Sequence, residues 1–423
     1  MARICIVHAY PSAALVQALL AARHELVLVV PHELELELAP DAGMEIHRAH
    51  LRDDSAVLST IEAAHCANSI EVMLPIYEGS TPVTSLACDR LGLRGNIVAA
   101  ARASRDKYAS FERWAAVGVP TPETVPITDL ADSLGAALDT LGLPLVLKPS
   151  DSMNSQGVCL VHDAASLERA ASELLALVSE RGDVSERDRN RIAYGRAAVP
   201  VIAQSYCPGA EVGVDLLYRG EEYCVLGTFE KAVSKGPHFA ESMSVSPTSL
   251  GVAAEQALAS LAARAVMALG ATEGAAHVEI RLAEDGTPRV LEAGLRPGGG
   301  YTADAIEALC GVHPAVELAG LLMGAPLPVS PTQRGAVLYG GVLHRSTGIL
   351  RSVTGLETLR SVPGLVKHAI LHRPGDYVSA PPNSAQPHYM YYLIHGHGRS
   401  EVLRSHGMIQ SGLCLETEPA PPV

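Results

Sequence analysis

Short apolar runs alternate with Ala/Leu-rich amphipathic stretches over the first part of the chain. Arg3–His8 reads RICIVH, an Ala/Leu-rich helical stretch follows through Ala22, and further apolar runs come at Leu26–Val30 and around Ile70–Pro75. Strands alternating with helices predict a small doubly wound parallel sheet over about the first 95 residues. The first turn, HAYPSAA, lacks G-x-G-x-x-G. This layer is therefore Rossmann-like in shape with no dinucleotide implied.

Further along, Ser104 is the expected N-cap of a helix reaching Ala116, ended by Gly118 and Pro120. Pro122 and Pro126 read as a linker, followed by a strand at Leu143–Lys148 and the turn-like DSMNSQG. Residues 164–180 form an amphipathic helix pattern, and 181–191 (RGDVSERDRNR) an exposed, mobile, charge-dense loop. Strands are expected at 199–206 and 212–218 and a helix at 252–269. Beyond about residue 330, Gly, Pro and His are common and short β-like runs prevail, which predicts a separate β-rich C-terminal domain.

The stretch His277–Arg296 reads HVEIRLAEDGTPRVLEAGLR, two apolar-rich runs around Asp285-Gly286. Asp-Gly suits a two-residue hairpin turn, whose central positions need positive φ. Counting outward pairs Glu284 with Thr287, Arg281 with Val290, Ile280 with Leu291, and Glu279 with Glu292. Directly opposed side chains lie ~4.5–5.5 Å apart at Cβ, where like charges are destabilising. A cation between the carboxylates removes that penalty; solvation with arginine screening is the other reading. A three-residue turn with a Gly bulge would shift the register by one and break the pairing. On the two-residue count Arg296 lies on the side of Glu292, while Ile280 and Leu291 point into a core.

Composition narrows the class. A chain of 423 residues has room for about two to four domains. Aromatics are only 4%, so the core must be mostly Ala, Val and Leu. A net charge of −14 speaks against nucleic-acid binding, which relies on basic surface. No apolar run is long enough for a membrane span, and no signal-peptide pattern follows MARICIVHAY. The eight cysteines are scattered without C-x-x-C; most read as small core residues, and a reducing cytoplasm is the natural setting.

Lys148 ends an apolar strand in LVLKPS, just before a small polar loop. Its ammonium can meet phosphate oxygens while loop N–H groups and the hydroxyls of Ser152 and Ser155 add donors. Gly157 would let the backbone approach a phosphate closely. Lys107 falls on the first turn of a helix, where a cation is disfavoured unless something anionic lies nearby. The segment QSYCPGAEVGVDLLY, 204–218, is either a plain β-turn-β connection or a hinge for a purine edge and a ribose. Lys231 follows on the next strand.

This ordered set resembles the ATP-grasp superfamily: D-K-Y, V-L-K-P with S-x-G-V, a P-G-x-E hinge, a strand lysine, H-x-E, then E-x-x-x-R-P-G-G-G. Within it the chain is most similar in style to ATP-dependent amino-acid ligases of the bacilysin-synthesising and carnosine-synthase type. The resemblance implies an α/β ATP-grasp fold divided into an N-terminal Rossmann-like domain (1–97), a linker helix (98–123), a lid subdomain (124–206), a catalytic subdomain (207–328) and a β-rich C-terminal domain (329–423). It implies ATP with Mg²⁺, or Mn²⁺, as cofactors. Lys107 and Lys148 would contact phosphates under the loop Ser152–Gly157, with Lys231 nearby. Gln204 and Tyr206 would border the adenine and Glu211 would take the ribose. Glu279 and Glu292 would hold the metal, and Arg296 would act in catalysis. Glu78, Glu241, Ser244, Gly298 and Gly299 are the candidate substrate contacts, with Glu78 and Glu241 for an ammonium group.

The implied activity is amide formation between amino acids, or an amino acid and another amine, through an acyl-phosphate. The implied partners are small molecules only, with no nucleic acid and no membrane, in a homodimer. Gly294 stands where many members carry Asn, the covering loop has a single glycine, and Ser244 stands where relatives often show His. A bicarbonate- or formate-activating relative and a non-catalytic ATP-binding regulator are the other readings.

Overall fold

The computed structural model describes residues 1–34, 43–128, 130–152, 155–180, 199–233, 238–283, 285–380 and 387–419. The charge-dense 181–191 stretch and Glu284 lie outside them. The N-terminal runs form a parallel four-stranded sheet in the order Met44–Arg48, Glu25–Val30, Arg3–Val7, Val72–Met73. Arg3–Val7 is buried along its whole length, as expected of a strand covered on both faces. Ser12 caps the first helix, Ala13–Ala21, by accepting from Leu15 N at 3.2 Å.

The helix expected from Ser104 is two helices. Val98–Arg105 comes first, and Lys107–Ala116 follows with Asp106 as its N-cap. Asp106 accepts from Tyr108 N and Ala109 N at 2.9 and 3.0 Å, and from the Ser150 hydroxyl at 2.7 Å. Its extended backbone kinks the chain there. Ser104 instead bonds back to Ala101 O within the first helix.

The segment expected as the lid, called so below, carries a four-stranded antiparallel sheet ordered Thr124–Ile127, Val201–Ser205, Leu145–Pro149, Cys159–Val161. The helices Leu130–Leu141 and Ala164–Glu180 pack against it. The central sheet has eight antiparallel strands: Pro288–Gly294, Glu273–Leu282, Glu211–Arg219, Glu222–Val233, Glu241–Ser246, Ala336–Leu343, His388–Gly396 and Leu365–Ile370. One face of it packs on the helix Val252–Ala268 through Val212, Val214, Val278, Ile280 and Val290. Each such fully buried side chain contributes about 1.5–3 kcal/mol. The other face holds a core shared with the N-terminal domain, and beside that core the functional cleft.

The C-terminal stretch differs from the separate unit expected of it. Its strand Ala336–Leu343 pairs with Glu241–Ser246, Ser244 opposite Tyr339, so three of its strands extend the central sheet. The strands Gly348–Thr354, Tyr377–Val378 and Cys414–Glu418 form a small sheet of their own. Among the described residues no single helix is long and apolar enough to cross a membrane.

Candidate active site

The hairpin brings Glu279 opposite Glu292 by two departures that cancel. A closing hydrogen bond runs from Ala283 N to Thr287 O, with Gly286 at φ +80°. The register therefore slips by one, pairing Arg281 with Arg289 and Ile280 with Val290. A bulge then leaves Leu291 as the extra residue and restores Glu279–Glu292. Val290, not Leu291, fills the core, and Leu291 lines the cleft.

Period two carries the cleft across three strands. Glu211 lies opposite Arg281, Gly213 opposite Glu279, and Asp215 opposite His277. Gly213 keeps this row flat: a Cβ there would come 2.9 Å from the His277 ring and 3.3 Å from Lys231. Lys231 Nζ lies 2.5 Å from Glu279, 3.3 Å from Glu241 and 3.8 Å from Glu211. Burial works against its charge, but the three carboxylates outweigh burial and hold the ammonium protonated well above its ordinary value. The reverse holds for Glu279, which burial would raise but Lys231 and His277 keep well below the usual range. Glu211 is pushed up by burial and by Glu279, against Lys231 and Arg281. Arg281 donates to it at 2.6 Å.

His277 Nδ1 is 3.0 Å from Asp215, and its Nε2 is 3.6 Å from Glu279. Burial disfavours the imidazolium, yet Asp215 and Glu279 raise it to about 9. Asp215 also accepts from Gly298 N at 2.7 Å, which ties the strand row to the glycine loop.

From the lid, Lys148 donates to Gln204 at 2.9 Å, and Gln204 donates in turn to Thr124. Burial, then the charge of Lys107, lowers Lys148 to about 8. The kink at Asp106 turns Lys107 toward Glu292, 3.2 Å away, and toward Ser152 O at 2.5 Å. Ser155, at φ 56°, donates to Phe239 O at 3.1 Å, and Tyr206 stacks beside Phe239 with centroids 6.1 Å apart. The cleft encloses about 270 Å³.

Lys107, Lys148, Ser152, Ser155, Gln204, Tyr206, Glu211 and Lys231 all line it, as do Glu78, Glu241, Glu279, Glu292, Arg296 and Gly299. Three expected residues do not. Gly157 is packed under the lid: at φ +77°, a Cβ would sit 2.9 Å from Pro149 and 3.0 Å from Leu174, so its need for glycine is steric and internal. Ser244 is fully buried with its hydroxyl spent on Glu241 at 2.5 Å. Gly298 spends its N–H on Asp215 at 2.7 Å.

Glu78 is corrected as well. Its two oxygens are taken by Arg105 and Arg296, so in this structure it seats those guanidiniums, an arrangement that the expected ammonium contact does not account for. Despite burial, the two arginines keep its carboxyl well below the usual range. Gly294 leaves space beside Arg296, since a Cβ would meet Arg296 Cγ at an ordinary 3.7 Å.

The sequence assigns no site role to His277 of the H-x-E motif or to Arg281, and does not single out Arg105, Asp215 or the C-terminal residues Tyr339, His388 and Tyr391. Period two from Glu279 and from Glu211 finds His277, Arg281 and Asp215. Nothing local finds the last three. The opposed Glu279 and Glu292 are hard oxygen donors, each now balanced by a lysine cation, a set that fits a hard divalent ion.

An ATP-grasp domain family model matches residues 141–304. Alanine–anticapsin ligase of Bacillus subtilis is 25% identical over 298 residues, 67% of this chain and 60% of that protein. The chain thus spans less than two thirds of that relative's length. The solved L-amino acid ligase from Bacillus licheniformis superimposes with a TM-score of 0.81 over 99% of both chains at 20% identity, and shares the fold. D-alanine–D-alanine ligase of Gloeobacter violaceus is 30% identical over 236 residues, 52% of this chain and 68% of that ligase. With the order of strands, the lid and the opposed glutamates, these matches show that the chain belongs to the ATP-grasp family.

Proposed function

We infer that the protein is an ATP-dependent carboxylate–amine ligase, joining an amino acid to a second amino acid or another amine with release of ADP and phosphate. The observation that carries this is the charge layout of one cleft. Opposed Glu279 and Glu292 face Lys231 and Lys107, while Arg296 stands apart, seated on Glu78. The first group suits a metal–triphosphate, and the second suits a carboxylate.

On this reading Lys148 and Lys107 meet phosphate oxygens, and Ser152 and Ser155 lie over them. Gln204 and Tyr206 border the purine. Glu211, with one oxygen on Arg281, offers the other to the ribose. Mg²⁺ or Mn²⁺, held by Glu279 and Glu292, would neutralise phosphate charge during transfer. Arg296 holds the substrate carboxylate and then the negative charge that develops on its carbonyl oxygen. Glu241 and the backbone at Gly299 face the amine end. Catalysis is mainly positioning and charge neutralisation, with no covalent nucleophile. The fivefold division at 97, 123, 206 and 328 is kept as a functional one, with 329–423 supplying the amine end.

The test incubates purified protein with Mg-ATP and pools of amino acids, scoring phosphate release and product mass together, with bicarbonate and formate as controls. ADP with a mass of two substrates minus water is expected. Phosphate release with bicarbonate alone would move the assignment to a carboxylase. A Glu292→Ala enzyme should lose turnover, and near-normal ADP formation by it would remove the metal role.

A further inference from the structure

The C-terminal strands bring a histidine–tyrosine pair into the cleft that the assignments above leave without a task. His388 opens the strand His388–Gly396, and its buried ring lies across Gly341. A Cβ at Gly341 would come 2.1 Å from His388 Cδ2, so the ring occupies that place because the strand has no side chain there. His388 Nε2 is 2.9 Å from the backbone oxygen of Glu241. That carbonyl only accepts, so Nε2 carries the proton and Nδ1 a lone pair. The Tyr391 hydroxyl, 3.0 Å away, donates to Nδ1. Tyr391 also packs edge-on against Tyr301 at 6.3 Å, and Tyr301 directly follows the glycine loop beside Arg296. The pair therefore sits at the end of the cleft where a carboxylate would be attacked.

Amide formation needs a proton acceptor at that place. An amine that attacks an acyl carbon becomes cationic and must lose a proton. The five carboxylates and the other histidine lining the cleft are committed. Glu78 is held by two arginines and Glu211 by Arg281. His277 lies between Asp215 and Glu279, and Glu241 accepts from Ser244 while facing Lys231. Glu279 and Glu292 face lysines. Burial holds the His388 imidazole below its ordinary value, so near neutral pH it is uncharged and able to accept.

The geometry points to Tyr391 and His388 as a proton relay for amine attack, an inference that rests on the ligase reading. The amine nitrogen forms a bond to the acyl carbon, and the carbon–oxygen bond to phosphate breaks with its electron pair leaving on phosphate. The N–H electron pair stays on nitrogen, its proton passing to the Tyr391 oxygen as the proton of Tyr391 passes to His388 Nδ1. The imidazolium so formed keeps its Nε2–H on Glu241 O, then returns its proton to solvent.

The test measures amide formation with the amino-acid pair found in the pool screen, beside hydroxamate formation when hydroxylamine intercepts the acyl-phosphate. Hydroxylamine is uncharged and weakly basic at neutral pH, so its adduct sheds a proton to water without a relay. In Tyr391→Phe, which keeps the ring against Tyr301, the amide-to-hydroxamate ratio should fall about 10²-fold or more. His388→Gln should lower it similarly, and the double variant no further than the larger single effect. Parallel falls in both products would mean a structural role and overturn the relay, as would an unchanged ratio. Wild-type protein that forms neither hydroxamate nor ADP would overturn the ligase reading itself.

Discussion

Replacing Glu78 with Gln removes the charge that seats Arg105 and Arg296. The side chains are 8%, 6% and 15% exposed respectively, so water screens them little. Removing one partner of a buried ion pair costs about 3–5 kcal/mol, because the remaining charge stays buried without compensation. Here two guanidiniums are left facing each other, which argues for the upper half of that range. The Gln carbonyl still accepts one hydrogen bond, returning roughly 1 kcal/mol. The expected net loss is therefore about 3–4 kcal/mol, read as a lower urea midpoint at unchanged slope. Adding Arg105→Met to Glu78→Gln should recover a large part of the loss, since one stranded charge is gone. A loss under about 1 kcal/mol, the range of exposed bridges, would refute the buried-pair reasoning. So would a double variant whose losses simply add. The pH sign follows from the same geometry. The folded-state value of Glu78 is depressed, so its contribution is present above the ordinary carboxyl value of ~4.3 and lost as pH falls through the folded value. Wild type should lose more stability than Glu78→Gln as the solution is acidified below about pH 4.

Lys148, lowered to about 8 in the ligand-free protein, should make ATP affinity fall by up to about tenfold per pH unit above that value, because only its protonated form pairs a phosphate. Lys148→Arg stays charged and should flatten the profile in a titration followed by calorimetry; an unchanged slope would take Lys148 off the phosphates. Gly157→Ala should destabilise the lid by about 1–3 kcal/mol through its contacts with Pro149 and Leu174 at positive φ. Hydrogen exchange would show this as faster opening of Leu145–Pro149 and Cys159–Val161, and protection equal to wild type would count against the packing account.

The charge pattern of the cleft is written locally, and the part of its wall built by the C-terminal strands is not. Lys148, Lys231 and the two glutamates sit at strand positions that alternation and turn residues mark, and the resemblance that they carry leads to the fold shown by the family match. Even there, counting from Asp285-Gly286 reaches Glu279–Glu292 only because the slip at the turn is undone by the bulge at Leu291. Holding both carboxylates toward the lysines while Ile280 and Val290 face the helix Val252–Ala268 is a tertiary demand, and the extra residue meets it. Arg105 was hidden one residue before the true cap, Asp106, whose own preference for capping was the available signal. Tyr339, His388 and Tyr391 had no such signal. They reach the cleft because Ser244 pairs with Tyr339 and Gly341 with Tyr391, long-range ladders whose partners no local period records. On the proposed reading, this arrangement would let the amine end change by altering strands far along the chain, without disturbing the glutamates assigned to the metal or the lysines assigned to phosphate.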